Sequence, residues 1–161
     1  MRVIRHLFAS SRRHFPPATL DAIQHAIARS EHRHHGEIVF AAEGSLPLAR
    51  VLRGVGARER AHEVFARLRV WDTEHDTGVL LYLLLADHAI EIVADRGVAR
   101  EIAESEWAPI CALMQDRFRR GEYEQGAIEG VAAVGELLAR HFPADGTRTN
   151  PDELPDRPVL L

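Results

Sequence analysis

Residues 78 to 95 constrain this chain more than any other stretch. Gly78-Val-Leu-Leu-Tyr-Leu-Leu-Leu-Ala86 is apolar at successive positions, so an extended strand here must be covered on both faces. Asp87 and His88 supply the chemistry of a tight two-residue turn. Ile90, Ile92 and Ala94 then alternate with Glu91, Val93 and Asp95, the pattern of a more exposed antiparallel strand. A hairpin whose first strand is buried on both sides needs helices above and below it.

The flanking segments supply them. Glu37-Ile-Val-Phe-Ala-Ala-Glu43 is short, β-branched in part and bounded by Gly36 and Gly44, which predicts another strand. Between it and the hairpin, Arg58 to Leu68 reads as a helix with Ala61, Val64, Phe65 and Leu68 on one stripe. Strand, crossover helix and strand give a parallel pair, and the hairpin adds an antiparallel one. Pro16–Pro17 opens an earlier helix carrying Leu20, Ile23 and Ile27, which stops near His32-Arg33-His34-His35-Gly36. Leu46 to Leu52 contains Pro47 and reads as a loop or a short helical turn. Beyond Gly97, helices are expected around 98–104, 107–119 and 123–141. Trp107, Ile110, Met114 and Phe118 share a face of the second; Ile128, Val131, Val134 or Gly135, and Leu138 point inward from the third. The expected fold is α/β, a small mixed sheet with central strand 78–86 and hairpin partner 89–95, sandwiched by helices. A basic leader (1–15) precedes the domain (16–142), and a proline-containing tail (143–161) is expected to be mobile.

Charge and cysteine usage exclude several classes. A net charge of -4 argues against a general nucleic-acid binder. The single Cys111 rules out an internal disulfide, and its apolar neighbours Trp107, Ile110 and Met114 mark a buried, inert thiol. No stretch reaches the roughly 18 apolar residues of a membrane span or the uninterrupted run of a secretory signal, so a cytoplasmic location is expected. Residues 1–35 hold six arginines against Asp21 and Glu31. Such a leader packs on the domain, is disordered, or makes a peripheral contact with an anionic membrane through Arg2, Arg5, Arg12 and Arg13.

Three segments carry a family likeness: Ala61-His-Glu-Val-Phe-Ala-Arg-Leu68, the hairpin from Gly78 to Gly97, and Phe118-Arg-Arg-Gly-Glu-Tyr-Glu-Gln-Gly126. Together they resemble the TPM domain, over roughly Ala18 to Phe142, in a short bacterial form without membrane anchor. The resemblance implies an α/β sandwich. It also implies either a non-enzymatic accessory module with a protein partner, or a divalent-metal-assisted phosphatase, since some members are described as acid phosphatases and some bind calcium. Ala94-Asp95-Arg96-Gly97 stands where many relatives have a glycine-rich turn.

The inferred topology gathers acidic residues at one end of the sheet, where the first two strands start and the third finishes. Carboxylates from several loops suit a hard cation, Ca²⁺ or Mg²⁺. The expected metal ligands are Asp72, Asp76 and Asp95, with Glu37 and Glu101 as further candidates and Arg96 as an anion contact. The same residues also suit turns and helix caps. His32, His34 and His35 with Glu37 or Asp95 offer zinc ligands, or simply a solvated helix end. No established catalytic motif is present.

Overall fold

The computed structural model describes residues 2–146 and 152–161. Four strands form one mixed sheet in the order β3-β2-β1-β4. β1 (Glu37–Glu43) and β2 (Gly78–Leu84) run parallel, with Glu37 beside Gly78 and Glu43 beside Leu84. β3 (Ala89–Ala94) returns antiparallel along β2.

The continuous apolar run of β2 is explained by what lies on each face. Val79, Leu81 and Leu83 enter one core with residues of α3 (Pro17–Glu31), α7 (Ala108–Arg119) and α8 (Tyr123–His141). Leu80, Tyr82 and Leu84 enter a second with Val51 of α4 (Leu48–Leu52) and Ala61 and Val64 of α5 (Ala57–Arg67). The period-2 alternation of the strand thus divides its side chains between two apolar layers. α6 (Arg96–Glu101) follows β3, with Asp95 as its N-cap. Cys111 is half-buried beside the first core, and burial pushes its thiol pKa up, away from the reactive thiolate.

The leader packs on the domain. It forms α1 (Arg2–Phe8) and α2 (Ser11–His14). Asp87, read from the sequence as part of a two-residue turn, closes a 3-10 turn spanning Leu85–Asp87, and His88 takes the left-handed conformation at φ 51°. Its carboxylate accepts from Arg2 at 2.7 Å and faces His6 Nε2 at 3.1 Å. The hairpin tip therefore anchors the leader.

The tail differs most from the sequence expectation. Val159–Leu160 forms β4, parallel to β1 at Ala41 and Ala42, and Leu154 is buried in the second core. Arg157 donates to Asp21 at 2.6 Å. Prolines leave only a two-residue strand, but Leu154 and Val159 find apolar cover and Leu161 N–H donates to the Ala42 carbonyl at 2.9 Å. The expectation of mobility for residues 147–151 lies outside the described residues.

Candidate metal centre

α3 delivers Glu31 to the sheet end by simple periodicity. Ile23 and Ile27 face the core, and Glu31, one further step of four, lands on the same buried stripe. It is 8% exposed, and its carboxylate accepts from the Ile38 N–H at 2.8 Å. Glu37, at the first position of β1, is 1% exposed and accepts from Leu154 N–H at 3.3 Å. The tail brings Asp152 and Asp156. Oxygens of Glu31, Glu37 and Asp152 lie within 4.8 Å of one another. Glu31, Glu37, Asp152 and Asp156 line one cavity of about 250 Å³ together with Ala28 and His32.

The electrostatics of this cavity are those of crowded, desolvated carboxylates. Burial pushes Glu37 up to about 7, and nearby Asp152 and Glu153 add to the rise against hydrogen bonds from the 153 and 154 amides. Burial also raises Glu31, strongly, with the charges of Glu37 and Asp156 acting in the same direction. Asp156 is raised by burial too, while its hydrogen bond with Glu31 opposes the rise. Asp156 Oδ1 is buried without a hydrogen-bond partner. Elsewhere arginine neutralises acidic groups, as Arg117 does for Glu122 and Glu129. Among the described residues that line the cavity, the one cationic candidate is the exposed His32. Hard oxygen donors with surplus negative charge fit Ca²⁺ or Mg²⁺.

Of the residues expected to bind metal, Glu37 lies in this cluster and the others lie outside it. Asp72 pairs with Arg69 at 2.7 Å on the surface. Asp76, at φ 56°, pairs with Arg96 at 3.1 Å, which also occupies the expected anion contact. Asp95 Oδ1 accepts from the Arg96 N–H at 2.8 Å, capping α6, and its Oδ2 is buried without a partner. Glu101 lines a separate cleft. The three histidines diverge. His34 is fully buried, accepting from Gly36 N–H through Nδ1 and meeting Ser30 Oγ through Nε2 at 3.1 Å. His32 borders the acidic cavity and His35 the other cleft.

That cleft, of about 410 Å³, lies at the same end of the sheet. His35, His75, Thr77, Gly97, Arg100, Glu101 and His141 line it, so the loops expected to meet do meet, around histidines and Arg100.

Sequence reasoning missed Glu31, Asp152 and Asp156. The interruption of an apolar stripe by Glu31 was the available signal. Asp152 and Asp156 carried none, because nothing local told that the tail returns to β1.

The architecture defines a class: an α/β sandwich with an acidic, cation-suited cavity at the start of its parallel strands. Residues 11–137 match the TPM domain, and the chain belongs to that family. It is similar to the BA42 protein of the psychrophilic bacterium Bizionia argentinensis, known from an NMR structure. The two share 27% identity with a TM-score of 0.77, over 89% of this chain and 93% of that one. The N-terminal domain of a P. gingivalis protein, also solved by NMR, shares the fold at 18% identity and a TM-score of 0.61, over 78% of this chain and 79% of that one. No curated protein matches. No helix among the described residues is long and apolar enough to cross a membrane.

Proposed function

We propose that this chain is a calcium-binding TPM module that acts through a protein partner rather than by catalysis. The observation that carries this reading is the convergence of Glu31, Glu37, Asp152 and Asp156 on one cavity. The 4.8 Å limit on the spread of three of these donors fits the roughly 5 Å that opposite oxygens span across Ca²⁺. Mg²⁺, with shorter bonds and strict octahedral geometry, is the second choice.

Two of the carboxylates belong to the body of the domain and two to the tail. A cation held between them fastens residues 152–156 to the start of β1 and so stabilises β4 against the sheet edge. The surface offered to a partner then depends on the cation. Asp72, Asp76, Asp95 and Glu101 remain a weaker proposal for the site, since the first three already serve ion pairs or a cap.

A calcium titration followed by backbone NMR tests the reading. Resonances of residues 28–37 and 152–156 are expected to move together, and Glu37→Gln with Asp152→Asn to abolish the response. A titration that moves neither segment rejects it.

The second reading, metal-assisted phosphate-ester hydrolysis, is favoured by the cleft where Arg100 stands with three histidines. Turnover of an aryl phosphate that requires the cation and is lost in Arg100→Ala supports it. No turnover with Ca²⁺ or Mg²⁺ removes it.

A further inference from the structure

The leader and α4 build a surface at the opposite end of the molecule from the acidic cavity. The two helices lie side by side and antiparallel. Leu46 N–H, just before α4, donates to His6 Nδ1 at 2.9 Å, and Arg2, at the start of α1, donates to the carbonyl of Val55, beyond its end. Their inner residues are consumed by this docking: His6 and Val51 are buried. Their outer residues are large and aliphatic. Ile4 is 61% exposed, Leu7 62%, Leu48 44% and Leu52 71%. These are four of the six exposed large hydrophobic residues among the described ones, and they fall on two adjoining short helices. The spacings i,i+3 on α1 and i,i+4 on α4 put each pair on one face.

The two helices themselves carry only basic charge, and the carboxylates that reach them, Asp87 and Glu63, are already paired with Arg2, His6 and Arg50. Residues 1–20 and 44–58 contain no Asp or Glu, in a chain whose net charge is -4. Arg5 and Arg53 sit on and beside the two helices, exposed and with no ion pair among the described residues. α2, two residues beyond α1, adds the exposed Arg12 and Arg13.

We infer that the α1–α4 face docks on an anionic lipid surface, with Ile4, Leu7, Leu48 and Leu52 entering the acyl boundary and Arg5 and Arg53 contacting lipid phosphates. Aliphatic anchors flanked by exposed arginines without ion-pair partners, on adjoining amphipathic helices, are the pattern of interfacial binding. A second copy of this chain is disfavoured as the occupant of the same face, because self-pairing sets arginine against arginine. This docking is independent of the cation proposed above, and orients the acidic cavity away from the lipid.

Co-sedimentation of the full chain with vesicles tests it, in EDTA so that no cation bridges protein and lipid. Binding is expected to vesicles of phosphatidylcholine mixed with phosphatidylglycerol, to weaken in high salt, and to be absent with phosphatidylcholine alone. Leu7→Ser with Leu52→Ser should weaken it at least about tenfold, from the apolar area withheld from lipid. Arg5→Gln and Arg53→Gln should each weaken it roughly fivefold. Thermal melting confirms that the variants, all at exposed positions, remain folded. The inference is overturned if the wild-type chain stays in the supernatant, as it would if an acidic protein were the occupant. It is equally overturned if binding ignores the anionic lipid or survives all of these substitutions.

Discussion

The phenol of Tyr82 donates to Glu43 at 2.6 Å inside the sheet, between residues on neighbouring strands and out of solvent. Arg60 from α5 grips the same carboxylate through two nitrogens, at 2.8 and 3.0 Å. Hydrogen bonding to Glu43 raises the Arg60 pKa further, and burial next to that carboxylate raises the Tyr82 phenol, so the phenol keeps its proton and the guanidinium its charge at all ordinary pH. Arg60→Ala leaves a buried carboxylate without its cation and is expected to cost about 3–5 kcal/mol. Tyr82→Phe removes one charge-assisted hydrogen bond and keeps the ring, for about 1.5–3 kcal/mol. Urea denaturation of both variants measures the difference, and a larger loss in Tyr82→Phe would contradict this account of the pair.

The acidic cavity predicts an unusual pH response without metal. Glu37 titrates near 7 when folded against an ordinary value of 4.5, and Glu31 is raised as well. The folded state therefore holds protons that the unfolded state has released, and stability falls as pH rises from about 4.5 through 7 and beyond. A cation replaces those protons. In EDTA the melting temperature should drop across this window, and saturating calcium should restore it most at the alkaline end. At a hundredfold excess over Kd the gain is about 2.7 kcal/mol. A calcium effect equal at pH 5 and pH 8 would contradict the linkage.

His34 has the opposite sign. Burial lowers its pKa to about 4 from an ordinary 6.5. The unfolded chain takes up a proton there first, so this contribution to stability is present above 6.5 and is lost as pH falls toward 4. His34→Gln should flatten the acid limb of the stability profile while leaving the alkaline limb set by Glu31 and Glu37. Gly135 shows how tightly this histidine is housed: a Cβ there would overlap Ser30 Oγ, the partner of His34 Nε2. Gly135→Ala should cost about 1–3 kcal/mol by displacing Ser30.

What the sequence made legible follows from how local each signal is. β1, β2 and β3 announce themselves in runs of six or seven residues, and α3, α5, α7 and α8 in apolar stripes. The sheet order followed from one crossover and one hairpin. β4 was not legible, because two residues directly after Pro158 carry no periodicity and owe their strand to Ala41 and Ala42. The expected ligands and the clustered carboxylates share Glu37 at the start of β1 and otherwise differ. Asp72 and Asp76 advertise oxygen ligands, yet Arg69 and Arg96 lie within reach and take them. The surplus charge lies instead where a helix end and the returning tail meet, a juxtaposition set by tertiary packing.

The tail gives the sharpest test of that juxtaposition. Leu154 is 7% exposed and belongs to the second core, while Asp152 and Asp156 flank it on the acidic cavity. Leu154→Ala should cost about 2–5 kcal/mol if the segment is integral to the fold. It should also weaken calcium binding without touching a ligand, because the anchor that positions Asp152 is gone. Deleting residues 152–161 should abolish calcium binding and uncover the β1 edge at Ala41 and Ala42, which invites strand pairing between copies. Calorimetric titration and sedimentation of the two variants read the two effects separately. If the deleted chain stays monomeric and binds calcium as tightly as the full one, the tail is neither ligand nor edge cover. The carboxylates of Glu31 and Glu37 would then have to serve the cation with other partners.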